Sequence, residues 1–152
     1  MSQRIAVFPG SFDPVTVGHV NIVERSLLLF DKVYVAMGVN TSKSSMFPAD
    51  QRMAWLEKTF AGHPNAEAIA FEGLTVDLCE RLGAGFIIRG LRNSTDHGYE
   101  RSIALMNRSI GGVDTIFLPA EPQHAHVSSS IVREMIANKA DVTAFVPVAV
   151  RP

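Results

Sequence analysis

Short apolar runs alternate with helix-period stripes along the whole chain. Arg4 to Phe8 (RIAVF) predicts a strand that ends at the turn signal Pro9-Gly10. From Gly18 a helix fits, with Val20, Val23, Leu27 and Phe30 on one face. Lys32 to Val39 is rich in apolar and β-branched residues, the composition of a buried strand. Asn40 to Ser45 is polar and loop-like, and a helix over Asp50 to Phe60 aligns Met53, Leu56 and Phe60. Ala66 to Phe71 suits a third strand, and Leu74, Leu78 and Leu82, four apart, mark a third helix. Phe86 to Ile88 reads as a fourth strand interrupted by Arg89-Gly90. Tyr99, Ile103, Met106 and Ile110 line the next helix, which stops near Gly111-Gly112. Val113 to Leu118 predicts a fifth strand, and a serine run caps a last helix over Ile131 to Asn138.

Five strands alternating with helices imply βαβ units, hence an α/β protein with a parallel sheet covered on both faces. Ligands of such sheets bind at the carboxyl ends of the strands, near the point where the strand order reverses. Every polar cluster in this chain follows a predicted strand, so all of them fall on that one edge.

Composition narrows the class. A chain of 152 residues, 47% apolar and 19% charged, fits a single domain with a sizeable core. Fourteen basic against fifteen acidic residues give a net charge of −1, without the basic excess of a typical nucleic-acid binder. A lone Cys79, set among Val76, Leu78 and Leu82, can form no internal disulfide and reads as a buried structural thiol. The first ten residues do not make a signal peptide, and no apolar run approaches the ~20 residues that span a bilayer. A soluble, cytoplasmic protein is expected.

Four clusters carry chemistry. In Pro9-Gly10-Ser11-Phe12-Asp13-Pro14-Val15-Thr16-Val17-Gly18-His19, a Gly- and Pro-shaped loop leads into a helix N-terminus, a ready anion site. Thr16 and His19 can face one point there; equally, Thr16 can be a plain N-cap and His19 a solvated first-turn residue. Lys43 follows the second strand and can reach a phosphate, or remain an ordinary loop lysine. Arg89 and Arg92 flank Gly90 at a strand end and suit a phosphate clamp, or pairing with Asp96 or Glu100. Of Ser128, Ser129 and Ser130, one caps a helix, which leaves two hydroxyls and the exposed N–H groups for phosphate. Periodicity makes Met106 a core residue. His124 and His126 have no carboxylate or cysteine beside them in sequence to complete a metal site, and His63 and His97 read as surface residues.

Thr16-Val17-Gly18-His19 resembles the (H/T)-x-G-H signature of the nucleotidyltransferase superfamily, and Val127-Ser128-Ser129-Ser130-Ile131-Val132-Arg133 resembles its I-S-S-S-x-(V/L)-(R/K) signature. Arg89-Gly90-Leu91-Arg92, Asp96, Tyr99-Glu100 and Met106-Asn107-Arg108 narrow the likeness to the pantetheine-phosphate adenylyltransferase family, from Arg4 to about Pro147.

That resemblance implies a Rossmann-like, doubly wound parallel five-stranded sheet in one domain over residues 1–152. It implies transfer of AMP from ATP to 4′-phosphopantetheine, with His19, Lys43 and Arg92 as the catalytic residues. ATP would contact Ser11, Phe12, Thr16, His19, Gly90, Leu91, Arg92, Glu100, His124, Ala125, His126, Val127, Ser128, Ser129 and Ser130. The acceptor would contact Ser11, Lys43, Thr75, Arg89, Met106 and Asn107; Thr75 stands where relatives more often carry Leu or Met. The resemblance further implies Mg²⁺ carried on ATP phosphates without a dedicated protein metal site, coenzyme A as a product-like inhibitor, and a homohexamer built from trimers. The rival readings are transfer to another phosphorylated acceptor, and a non-catalytic nucleotide sensor.

Overall fold

The computed structural model describes residues 2–40 and 42–151. Strands β1 (Ile5–Gly10), β2 (Lys32–Gly38), β3 (Ala66–Phe71), β4 (Phe86–Leu91) and β5 (Asp114–Pro119) alternate with helices α1 (Val17–Ser26), α2 (Ala49–Phe60), α3 (Thr75–Leu82), α4 (Ser94–Gly111) and α5 (Ser129–Ala137). The strands form one parallel sheet in the order β3-β2-β1-β4-β5. The chain thus winds outward from β1 in one direction, then returns to β4 and winds in the other. This is the doubly wound Rossmann-like arrangement expected from the sequence.

Strand alternation sends successive residues to opposite faces. Ala6, Phe8, Val33, Val35, Met37 and Ile88 meet Ile22 and Val23 of α1, Leu56 and Phe60 of α2, and Val132 of α5. Val7, Ala36 and Ile87 face the other way, against Val76, Leu78 and Cys79 of α3. Burial also pushes the Cys79 pKa up to about 11, so the thiol is inert, as its apolar setting predicts.

Several boundaries depart from the sequence pattern. β1 continues through Pro9 and Gly10, which pair with Ala36 and Met37 of β2. β4 likewise runs through Arg89 and Gly90, held by Phe117 and Leu118 of β5. Pairing with a neighbouring strand overrides the local break signals. α1 ends at Ser26, whose hydroxyl donates to the Ile22 carbonyl at 2.6 Å, so Phe30 is buried from the loop instead of the helix. Leu74 precedes α3 and is exposed.

The largest departure is on α4. Its stripe of Tyr99, Ile103, Met106 and Ile110 points outward, with Tyr99 72% and Met106 60% exposed. Glu100 is the helix's one buried residue. The helix packs on α3, β4 and β5 with its other face, which leaves the stripe turned to solvent.

The close α3–α4 approach depends on Gly111. A Cβ there would sit 2.7 Å from Val76 Cβ, closer than real contacts allow. Gly111→Ala is therefore expected to lower stability by about 1–2 kcal/mol in urea unfolding, despite alanine's better helix propensity.

Candidate active site

β1 and β4 are neighbours, yet their ladder holds only Ala6 to Phe86 and Val7 to Ile87. Beyond that point the strands part, and a crevice opens at the switch point of the sheet. Arg89 bridges the gap. Its Nη1 donates to the Pro9 carbonyl at 2.7 Å, and its Nε and Nη2 donate to the Glu100 carboxylate at 2.8 and 2.7 Å. Two cavities meet across this bridge and share Pro9, Gly10, Ser11, Arg89 and Glu100 as walls.

The smaller cavity, of about 330 Å³, is lined by Ser11, Phe12, Thr16, His19, Gly90, Arg92, His124, Val127 and Ser128 to Ser130. Thr16 is buried and caps α1. Its hydroxyl accepts from the His19 N–H at 3.4 Å, and its own N–H donates to His19 Nδ1 at 3.0 Å. This is a capping box with histidine in the place usually held by Glu or Gln. Because Nδ1 accepts, the ring proton belongs on Nε2. Phe12 meets the imidazole edge-on, 4.9 Å between centroids, and fixes its plane. Phe12 itself adopts φ +46, rare for a bulky residue; Gly10 makes room, since a Cβ there would press to 3.2 Å from the Phe12 ring. Burial, followed by the positive charges of Arg89 and Arg92, pushes the His19 pKa down to about 4. His19 is thus a neutral Nε2–H donor at pH 7.

The structural readings of Thr16, Arg89 and Arg92 hold, and the same side chains also line the cavity. Thr16 is an N-cap and also a wall of the cavity. Arg89 and Arg92 both pair with carboxylates, the latter donating to Asp96 at 3.1 Å, while both face the crevice. All three serine hydroxyls are engaged. Ser128 caps α5, Ser129 donates to the Pro14 carbonyl at 2.8 Å, and Ser130 accepts from Arg133 at 3.2 Å.

The larger cavity, of about 620 Å³, collects Lys43, Thr75, Ile103, Ala104 and Asn107. Met106 lies outside both cavities, as do Leu91, Ala125 and His126. His126 is exposed beside the Phe145 ring. His97 is exposed as expected, whereas His63 is half-buried near Phe60, 3.5 Å from a Glu24 carboxylate oxygen. Among the described residues no three His, Cys, Asp or Glu side chains cluster as metal ligands.

Sequence reasoning missed Asp13 and Arg52, both 5% exposed. The Asp13 carboxylate accepts from the Met46 and Phe47 N–H groups at 2.9 and 3.0 Å. Arg52 donates to the Phe47 carbonyl at 3.0 Å and to the Ser11 carbonyl at 2.6 Å. A charged residue within the otherwise apolar and Gly/Pro-rich start of the first loop was the available signal for Asp13; nothing local distinguishes Arg52.

A parallel sheet with an anion-suited crevice at its switch point defines a nucleotide-handling α/β protein, and the comparisons agree. A cytidylyltransferase-like family model matches residues 7–135. The phosphopantetheine adenylyltransferase of Flavobacterium psychrophilum is 48% identical over 98% of this chain and 99% of its own length. That of Limosilactobacillus reuteri strain DSM 20016 is 43% identical, covering 95% and 84%. A crystal structure titled as a putative nicotinate-nucleotide adenylyltransferase from Vibrio parahaemolyticus shares the fold, with a TM-score of 0.74 over 97% of this chain and 90% of that one, at 18% identity. The chain belongs to the cytidylyltransferase-like family, among its phosphopantetheine adenylyltransferases.

The depressed His19 pKa has a thermodynamic consequence. The unfolded chain takes up this proton near pH 6.5, whereas the folded protein resists it until about pH 4. Stability should therefore fall as pH drops through that window, by at most about 3 kcal/mol from this residue. Urea unfolding at pH 7 and pH 4.5 is expected to show a smaller acid loss for His19→Asn than for wild type.

Proposed function

We propose that this protein transfers the adenylyl group of ATP to 4′-phosphopantetheine, giving dephospho-coenzyme A and pyrophosphate, a reversible step of coenzyme A synthesis. The observation that carries the reading is the two-chambered crevice. A nucleotide chamber ends on a neutral histidine donor, and a larger acceptor chamber carries Lys43, with Ser11 and Arg89 at the junction. Near-full-length likeness to phosphopantetheine adenylyltransferases supports this acceptor over other phosphorylated compounds.

An oxygen of the 4′-phosphate attacks the α-phosphorus in line. The new P–O bond forms as the bond to the bridging oxygen breaks, and the electron pair leaves with pyrophosphate. No proton has to move, which suits a histidine that stays neutral. His19 donates Nε2–H to the α-phosphate as charge develops, and Thr16 holds the ring by its Nδ1. Lys43 and Arg92 hold phosphates on either side of the reacting centre; Arg89 and Ser11 secure the incoming phosphate. The Ser128 and Ser130 hydroxyls and the N-terminal N–H groups of α5 receive the departing pyrophosphate, while Ser129, whose hydroxyl donates to the Pro14 carbonyl, offers its backbone N–H. Phe12, Gly90, Glu100, His124 and Val127 wall the nucleotide, and Thr75 and Asn107 the acceptor arm. The donors here are cations and hydroxyls, fitted to phosphate oxygens; Mg²⁺, carried in with ATP and not on protein ligands, would supply further charge neutralisation for the pyrophosphate group.

Residues 1–152 act as one domain in this reading, in the cytoplasm. The exposed apolar stripe of α4 supports assembly into a homohexamer. Coenzyme A, which differs from the product by one 3′-phosphate, occupies both chambers as an inhibitor.

Pyrophosphate release is expected with ATP plus 4′-phosphopantetheine and not with unphosphorylated pantetheine, and coenzyme A should suppress it competitively. Equal turnover of pantetheine would sink the reaction as written.

The role of His19 separates from its place in the cap. His19→Ala should lower kcat by about 10²–10³, with a smaller effect on KM for ATP. It also leaves the buried Thr16 N–H without a partner, at about 1–2 kcal/mol. His19→Asn can offer an amide oxygen to that N–H, so its melting temperature should recover while kcat stays low. Steady-state kinetics with melting curves for the three proteins test both halves.

A further inference from the structure

The reactive loop after β1 is held from behind by side chains that reach neither chamber. Arg52, on α2, donates to the Ser11 and Phe47 carbonyls. Asp13 accepts from the Met46 and Phe47 N–H groups. These four bonds join two loops that are more than thirty residues apart in sequence. One carries Ser11 and leads to His19; the other, between β2 and α2, carries Lys43. The two side chains act from opposite partners: the first loop supplies the acceptor Asp13, and α2 supplies the donor Arg52. Phe47 is gripped at both its N–H and its carbonyl, so the end of the Lys43 loop has neither freedom to slide nor to rotate.

Lys43 itself is exposed, and the segment from Ser42 to Met46 is exposed throughout. Among the described residues its local bonds are few: its own N–H to the Asn40 carbonyl at 3.2 Å, and Ser42 to Asn40. A flexible ammonium on such a loop reaches a fixed point only if both loop ends are fixed. The β2 end is anchored by the sheet, and the other end by Asp13 and Arg52.

We propose that Asp13 and Arg52 are positioning residues that set the Lys43 loop against the His19 loop, and so register the acceptor chamber with the nucleotide chamber. This rests on the adenylyl-transfer reading for its kinetic consequence, though the tie itself does not. Neither side chain lines either cavity. Both hydrogen-bond to the backbone of the two loops, and the Asp13 carboxylate also stands 4.0 Å from the Arg133 guanidinium.

Two measurements test it. Hydrogen exchange needs no ligand. In Asp13→Asn and in Arg52→Gln, the hydrogen-bonded amides of Lys43, Met46 and Phe47 should lose protection at least tenfold while those of β1 and β2 keep theirs. Unchanged exchange in that segment, or loss of protection throughout the sheet, overturns the proposal. The second measurement is a double-mutant cycle of Asp13→Asn with Lys43→Ala, read in kcat/KM for 4′-phosphopantetheine and in its dissociation constant by calorimetry. If Asp13 works by placing Lys43, removing Lys43 should cost roughly tenfold less in the Asp13→Asn background than in wild type. Effects that simply multiply mark Asp13 as structural only. Arg52→Lys, which keeps a donor toward the Ser11 carbonyl, should recover much of what Arg52→Gln loses. A wild-type protein without turnover would refute the adenylyl-transfer reading, and the exchange result would still decide whether the tie exists.

Discussion

The structure turns on the Arg89 guanidinium where β1 and β4 separate. Ending a ladder early exposes backbone groups on two central strands, a costly arrangement inside a sheet. Arg89 makes it tolerable by taking the Pro9 carbonyl with one nitrogen and the Glu100 carboxylate with the other two. Glu100 comes from α4, so the same contact docks that helix over the crevice. The charge is compensated by a bidentate partner whose side chain is only 11% exposed, which limits the penalty of desolvating it. One side chain thus keeps the cleft open, holds a helix to its rim and stands between the two chambers.

His19 answers to the same charge. Burial in the cleft opposes a charge on this histidine, and the two neighbouring arginines oppose it further. The capping box then selects which nitrogen carries the remaining proton. Neither effect alone would yield a defined donor: neutrality without the cap leaves two tautomers, and the cap without neutrality is broken, because a protonated Nδ1 cannot accept. The T-x-G-H spacing satisfies a helix start and, in the proposed reaction, a reacting phosphate with the same two residues. Fold and chemistry share atoms here, and their effects on a simple truncation are bound to mix.

How much of this was legible follows from where each partner lies. Strands and helices could be read because their apolar periods are local, and Thr16 with His19 could be read because a cap links residues three apart. Pro9 and Arg89-Gly90 misled at the strand ends, since the pairing that continues those strands comes from β2 and β5. Arg52 was invisible for the same reason, and Asp13 showed only as a charge in an apolar loop: their partners are backbone groups of distant loops, which carry no side-chain signature. The α4 stripe was legible as apolar but not as outward-facing. Periodicity tells which residues share a face and is silent on what the face meets. Met106 shows the limit, matching a family position while sitting outside both chambers.

The two faces of α4 connect assembly to acceptor choice. Glu100, Ala104 and Asn107 lie along the inner side, at helical spacing, and wall the larger cavity, the proposed acceptor chamber. Tyr99, Met106 and Ile110 cover the outer side, and Ile103 sits at the border of both. The shared fold cannot by itself choose an acceptor, because a Rossmann-like sheet hosts many reactions. The choice must lie in elements laid over the sheet edge, and α4 is the longest of them. In the monomer the inner face of this helix packs on α3, β4 and β5, with Glu100 paired to Arg89 and Arg108 to Asp114. Burying the outer stripe against another copy would stiffen the inner wall through the same backbone. Assembly then becomes part of how the acceptor chamber keeps its shape.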